Sequence, residues 1–238
     1  MTDQVPPVSP VFLPLDRPNL AAARALASPL VGDLGGLKIG LELFLAEGPS
    51  VVHAFKATGL PVFLDLKLHD IPNTVAGAVR SLASTKADFL TLHATGGTAM
   101  LKAAVEATHD MAAPPTLLAV TVLTSLNDAD LTATGVAASS GDQVLRLTEL
   151  ALDAGVPGIV CSPLDIAPIR ARFGSAPALM VPGIRPNTGV NDDQKRTLTP
   201  AEAMAAGANY LVIGRPISQA ADPLANLQAI NATVGMAA

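Results

Sequence analysis

Eight short apolar runs recur along the chain, at Val11–Leu15, Leu37–Leu41, Val62–Leu66, Phe89–Leu92, Thr116–Leu123, Gly158–Cys161, Ala178–Val181 and Tyr210–Ile213. Short runs of this kind, bounded by Gly, Pro or polar residues, read as strands buried on both faces, as in a parallel sheet. Between them apolar positions return at helical spacing. Val75, Val79 and Leu82 follow the third run, and Val144, Leu147, Ala151 and Ala154 precede the sixth. Such spacing lays one apolar stripe along a helix. The alternation predicts a single α/β domain, a (β/α)8 TIM barrel over residues 11–238, with residues 1–10 as an N-terminal tail. An open, doubly wound parallel sheet is the competing arrangement of the same elements.

The polar residues gather at the carboxyl ends of these runs. Asp16 follows the first, Lys38 interrupts the second, Asp65 and Lys67 close the third, His93 ends the fourth, and Thr124 and Ser125 end the fifth. In a parallel barrel that end is where residues distant in sequence become neighbours. Side chains two apart share one face of a strand, so Asp65 and Lys67 point one way while Leu64, Leu66 and Leu68 point the other. Buried charges are tolerated when paired, and a structural Asp–Lys pair would satisfy that need alone. Lys38 on the neighbouring strand adds a third charge. The expected result is an alternating array of Lys38, Asp65, Lys67 and Asp70.

Composition narrows the functional classes. Half of the 238 residues are hydrophobic and 15% are charged, which excludes extensive disorder. No run approaches the ~18 apolar residues of a membrane helix, and Met1-Thr2-Asp3 lacks the basic start of a secretion signal. A cytoplasmic protein without membrane contact is expected. The single Cys161 cannot form an intramolecular disulfide and reads as a small buried hydrophobe, and no Cys/His spacing suggests zinc. A net charge of −5, with no Trp and one Tyr, leaves no footprint for nucleic acid. An anionic small molecule is compatible, because a few basic groups can be concentrated locally. Gly183 with Arg185 after the seventh run, and Gly214 with Arg215 after the eighth, are the phosphate candidates. The glycines permit close backbone approach, and the arginines supply charge-assisted hydrogen bonds.

The segment Asp65-Leu66-Lys67-Leu68-His69-Asp70-Ile71-Pro72-Asn73-Thr74 resembles the D-x-K-x-x-D-I-P-N-T signature of the orotidine 5'-phosphate decarboxylase family. Five further segments follow in that family's order: Leu15-Asp16, Leu37-Lys38-Ile39-Gly40, Val120-Thr121-Val122-Leu123-Thr124-Ser125, Val181-Pro182-Gly183-Ile184-Arg185-Pro186 and Val212-Ile213-Gly214-Arg215-Pro216. The resemblance implies decarboxylation of orotidine 5'-phosphate to uridine 5'-phosphate in pyrimidine biosynthesis, without cofactor or metal. It implies Lys67 as proton donor, flanked by Lys38 and Asp65, in a homodimer with shared active sites where Asp70 comes from the partner subunit. It also places Asp16 and Lys38 at the ribose and Thr124 near the pyrimidine, with Ser125 and Ile71 among the substrate-binding residues. Thr74 falls with Asp70 at the neighbouring site, and Gln194 joins Arg185 and Arg215 at the phosphate. His69 and His93 are read as structural.

The chemistry fits that residue set. Loss of carbon dioxide from carbon 6 leaves a carbanion in the ring plane that cannot delocalise, and an ammonium aimed there stabilises it and then protonates it. Flanking aspartates favour the ammonium form. Metal-dependent decarboxylases or aldolases acting on sugar phosphates use similar D-x-K-x-x-D barrels. They are expected to carry an acidic metal ligand where Lys38 stands and to lack the Ile71-Pro72-Asn73-Thr74 continuation. A non-catalytic nucleotide-binding barrel has no use for a proton donor facing carbon 6.

Overall fold

The computed structural model describes residues 9–186 and 197–235. Its strands are β1 (Val11–Pro14), β2 (Gly36–Ile39), β3 (Val62–Leu68), β4 (Phe89–His93), β5 (Thr116–Val120), β6 (Gly158–Val160), β7 (Ala178–Val181) and β8 (Tyr210–Val212). Each pairs in parallel with its neighbours in chain order, and β1 also pairs with β8, so the sheet closes into a barrel. An open doubly wound sheet is thereby excluded. Each apolar run overlaps one strand, with changed ends. Leu41 leaves the second run to begin the helix Leu41–Glu47 after the extended Gly40, the fifth run stops being strand at Val120, and the third extends to Leu68.

Strand alternation sorts side chains into two cores. Outward residues such as Val11, Leu13, Leu37, Ile39, Leu64, Leu90 and Leu92 are fully buried against the surrounding helices. The helix Pro72–Leu82 meets them with Val75 and Val79, and the helix Ser140–Asp153 with Val144, Leu147 and Ala151. Burying each such Val, Leu or Ile is worth about 1.5–3 kcal/mol. Ala154 is also buried, just past the end of its helix.

Inward residues Phe12, Phe63, Phe89, Leu118, Met180 and Val212 form a separate cluster inside the barrel. There Phe12 meets Phe89 and Tyr210 edge to face, with ring centroids 5.7 and 5.5 Å apart. That geometry suits the aromatic quadrupoles. Two residues further along the same strand faces, Phe63 is succeeded by Asp65, and Phe89 by Thr91 and then His93. Lys38 lies opposite Phe63 in the β2–β3 register. A polar layer therefore sits on an apolar floor, at the carboxyl end of the barrel.

At the opposite end the Ser9 hydroxyl donates to Asn231 Oδ1 at 2.8 Å, and the Pro10 carbonyl accepts from Leu211 N–H at 2.9 Å. These bonds tie both residues, which fall within the expected tail, to the barrel. Cys161 is buried, and burial, reinforced by Asp165, pushes its thiol far above the ordinary value. Among the described residues no helix is long and apolar enough to cross a membrane.

Candidate active site

The local geometry of β3 sets up the site. Leu64 aligns with Leu90 of β4, yet Leu68 aligns with Leu92, so β3 advances by four residues while β4 advances by two. The surplus is absorbed in a bulge, a device that re-aims side chains and is frequent beside active sites. Within it Lys67 takes φ of 51°, in the left-handed region. For a residue with a side chain this costs roughly 1–2 kcal/mol, which the surrounding structure must supply.

The distorted backbone brings Lys67 onto Asp65. The Lys67 Nζ lies 2.8 Å from both Oδ1 and Oδ2 of Asp65. Thr91, wholly buried on β4, completes the arrangement. Its hydroxyl accepts the Lys67 backbone N–H at 2.9 Å and donates to Asp65 Oδ1 at 3.0 Å. Leu66 and Leu68 pack outward against the main core, as alternation predicts. The shared face of Asp65 and Lys67 is thus reached through a bulge rather than through regular strand.

Lys38 continues the array from β2. Its Nζ stands 3.6 Å from Asp65 Oδ2 and 3.3 Å from Asp16 Oδ1. The segment just after β1 and the strands β2 and β3 therefore contribute Asp16, Lys38, Asp65 and Lys67 with alternating charge. The inner side chains Lys38 and Asp65 are only 12% and 13% exposed, whereas Asp16 is 57% exposed, so its contact is a weak surface pair. Gly40 keeps this contact uncrowded, because a Cβ there would lie 3.0 Å from Lys38 Nζ and 3.1 Å from Asp16 Oδ1.

Asp70 lies apart from the array within its own chain. It is exposed, its Oδ1 accepts the Ile71 N–H at 2.6 Å, and among the described residues no ion pair joins it to Lys38 or Lys67 of its own chain. Within one chain the outer carboxylate of the array is Asp16.

The charges account for ionisation at the centre. Burial opposes a charged Asp65, but Lys38, Lys67 and the hydrogen bonds from Lys67 and Thr91 outweigh it and hold the carboxyl below its ordinary value. His93 at the end of β4 is half-buried, with its ring 5.4 Å from that of His69. Burial, followed by repulsion from His69 and Lys67, lowers its pKa against the pull of Asp65. The two histidines read as structural thus border the charged cluster.

The remaining candidates lie around the same mouth. Thr124, half-buried, and Ser125, exposed, follow β5 and line a cleft with Asn127 and Ser140. Ile71 caps the helix after β3 and Thr74 lies in its first turn, both exposed. Gly183 follows β7 with φ of 80°, a conformation side chains disfavour, and Arg185 is held by a bond from Nη1 to the Ile184 carbonyl at 2.9 Å. Gly214 caps the short helix Arg215–Ser218 after β8, and Arg215 is exposed. Gln194 lies outside the described residues. Among the described residues no group of three or more His, Cys, Asp or Glu could hold a metal ion.

Thr91 is the polar contact that sequence reasoning missed. Its signal was present, since Phe89-Leu90-Thr91-Leu92-His93 places a hydroxyl on the inward face between Phe89 and His93.

Known proteins resemble this chain over most of its length. Residues 9–230 match the family model described as orotidine 5'-phosphate decarboxylase / HUMPS family. The chain is 50% identical over 234 residues to the orotidine 5'-phosphate decarboxylase of Paramagnetospirillum magneticum, covering 96% of this chain and 100% of that protein. It is 53% identical over 219 residues to that of an Anaeromyxobacter species, covering 92% and 95%. Among solved structures, orotidine 5'-phosphate decarboxylase from Lactobacillus acidophilus superposes with a TM-score of 0.79 at 34% identity, covering 95% of this chain and 99% of the other. An uncharacterised conserved protein from Geobacillus kaustophilus gives 0.81 at 34% identity, covering 94% and 99%.

Proposed function

The chain belongs to the orotidine 5'-phosphate decarboxylase / HUMPS family, and on that premise we propose that it converts orotidine 5'-phosphate to uridine 5'-phosphate and carbon dioxide for pyrimidine biosynthesis. The observation that carries this reading is the Lys67 ammonium held 2.8 Å from both oxygens of an ionised Asp65, with Lys38 behind it.

In this reading the substrate's carbon 6 sits against Lys67. As carbon dioxide leaves, negative charge grows in the ring plane, and the fixed ammonium stabilises it before donating a proton to carbon 6. The interaction of two charges about 4 Å apart is roughly 4 kcal/mol at an effective dielectric near 20, against the roughly 8–23 kcal/mol that enzymes supply. One lysine is therefore insufficient. The rest is assigned to the preformed array and to phosphate binding by Arg185, Arg215 and Gln194, which drives closure and excludes water. Asp16 and Lys38 are assigned to the ribose hydroxyls, and Thr124 and Ser125 to the pyrimidine. Asp65 faces the departing carboxylate, and the energy of that opposition is not needed for the assignment.

The working unit is proposed as a homodimer whose sites each take Asp70, Ile71 and Thr74 from the partner subunit. Support comes from the exposure of Asp70 and from exposed apolar side chains beyond the adjacent strands β2 and β3. Leu41 and Leu45 are 48% and 77% exposed, and Ile71 is 66% exposed. The cytoplasm is the proposed compartment.

The sugar-phosphate alternative would require an acidic metal ligand where Lys38 stands. The Asp65 oxygens are already engaged, one by Thr91 and Lys67 and the other by Lys67 and Lys38. A cation there would meet two ammonium groups. The deciding experiment is the ultraviolet absorbance change on conversion of orotidine 5'-phosphate, run with and without EDTA. Turnover of equal rate in both supports the cofactor-free reaction. No turnover sinks the decarboxylase reading, and turnover lost to EDTA and restored by magnesium sinks the cofactor-free mechanism.

A further inference from the structure

We propose that Thr91 is a positioning residue for this reaction, its buried hydroxyl fixing at once the Asp65 carboxylate and the backbone of Lys67 and so directing the Lys67 ammonium. The inference rests on the decarboxylase reading of the site. It concerns a residue that touches neither substrate nor the departing carbon dioxide in that reading, and acts only through Asp65 and Lys67.

The bulge creates the need for such a residue. Because Leu64 aligns with Leu90 and Leu68 with Leu92, Thr91 is the β4 residue facing the surplus stretch of β3. A regular parallel ladder takes its acceptors from backbone carbonyls. Here the Lys67 N–H is instead received by the Thr91 hydroxyl at 2.9 Å. A hydroxyl offers one donor and two acceptor lone pairs, and Thr91 spends the donor on Asp65 Oδ1 at 3.0 Å. One side chain therefore braces both members of the ion pair, from a position with no exposure to solvent.

The carboxylate shows what that brace does. Oδ1 receives Thr91 and Lys67, while Oδ2 receives Lys67 and stands 3.6 Å from Lys38. Remove the hydroxyl and Oδ1 keeps only the Lys67 ammonium, so the carboxylate gains freedom to rotate and carries that ammonium with it. The Lys67 backbone, strained at φ of 51°, loses its anchor in the same step. A displacement of about 1 Å in reacting groups can cost on the order of 100-fold in rate.

Ionisation offers a second readout. Asp65 is faced by Lys38 from β2, Lys67 from its own strand, Thr91 and His93 from β4, with His69 beside His93 and Asp16 beyond Lys38. The Thr91 bond is one of the contacts that favour the carboxylate. Its loss should move the acid limb of activity to higher pH.

The test compares Thr91→Ser with Thr91→Ala. Both lose the γ-methyl group and its packing, and they differ by the hydroxyl alone. kcat and KM for orotidine 5'-phosphate, the pH profile of kcat/KM and Tm are measured for parent and variants. Titration of the substrate phosphate contributes equally to all three. The expected result is a fall in kcat of about 10- to 100-fold for Thr91→Ala, with KM within about threefold and the acid limb displaced upward. Thr91→Ser should stay within about threefold of the parent, with its acid limb unmoved. Equal losses in Ser and Ala, or an Ala variant with the parent's kcat and acid limb, overturn the proposal. Should Thr91→Ala fail to fold, Thr91→Val retains the side-chain volume without the hydroxyl and takes its place in the comparison. A parent enzyme that leaves orotidine 5'-phosphate unchanged defeats the decarboxylase reading itself, whereas an active parent with indistinguishable Ser and Ala variants defeats only the role of Thr91.

Discussion

Lys67 donates to both carboxylate oxygens of Asp65 at 2.8 Å from a backbone held at φ of 51°. The two features belong together. A lysine on an undistorted strand would carry a long, freely rotating side chain, whereas the bulge folds its ammonium back onto a carboxylate that is itself braced. Charge fixed before the substrate arrives needs no reorganisation during the reaction, which is the basis of electrostatic preorganisation.

Lys67→Ala should therefore abolish turnover, because in the proposed mechanism both the stabiliser of the carbanion and its proton source disappear. A loss beyond about 1,000-fold in kcat is expected, with the circular dichroism of the parent retained. Turnover within tenfold of the parent would remove Lys67 from that role.

The depressed pKa of Asp65 makes a prediction about stability. A carboxyl held below its unfolded value of about 3.9 contributes stability above that pH and loses it as pH falls through the lower folded value. The unfolding free energy of the parent minus that of Asp65→Asn should accordingly be more favourable at pH 6 than at pH 3, as read from urea melts. A difference that stays flat across this range would mean that Asp65 is not held ionised by its neighbours.

How far the sequence went is visible at β3. Period-two alternation correctly placed Asp65 inward and Leu64 outward, because it depends only on local geometry and the cost of exposing apolar surface. The same reasoning reached the strand order, since eight short strands separated by helical segments close most simply into a barrel. It could not reach the bulge. Whether β3 advances by four residues against two of β4 is decided by partners some twenty-five positions away, and a lysine at positive φ has no local signature. Thr91 was overlooked for a related reason: one hydroxyl in an apolar strand satisfies several roles, and its partners become evident only once β3 and β4 are adjacent. Asp16 entered as a ribose contact, while its proximity to Lys38 depended on the pairing of β1 with β2.

Arg215 is exposed just beyond β8, one strand from the loop that carries Arg185, and is the proposed grip on the substrate phosphate. Arg215→Ala should lower kcat/KM for orotidine 5'-phosphate by about 10- to 150-fold, the equivalent of one lost charge-assisted hydrogen bond of roughly 1.5–3 kcal/mol. Part of the loss should fall on kcat, because remote binding energy is used to close the site. The dephosphorylated nucleoside should be indifferent to the change, and equal sensitivity with both substrates would count against a phosphate contact.

Asp70 provides the test of the shared site. It lies beyond the end of β3, exposed, with its carboxylate engaged by the adjacent Ile71 N–H rather than by a lysine of its own chain. If each site combines Lys67 of one chain with Asp70 of the partner subunit, two inactive proteins, Lys67→Ala and Asp70→Asn, should complement each other. In a mixed dimer one site receives both substitutions and the other receives neither. Random exchange between equal amounts makes half of the dimers mixed, so about a quarter of all sites become intact across a two-fold, isologous interface. Activity should return to roughly that fraction of the parent's. If Asp70 instead serves its own chain, every site in the mixed dimer carries one substitution and mixing restores nothing. Subunit exchange is verified by mass spectrometry of differently tagged chains. Exchange without recovery would reassign Asp70 to its own subunit, and would leave the roles of Lys38, Asp65 and Lys67 as they stand.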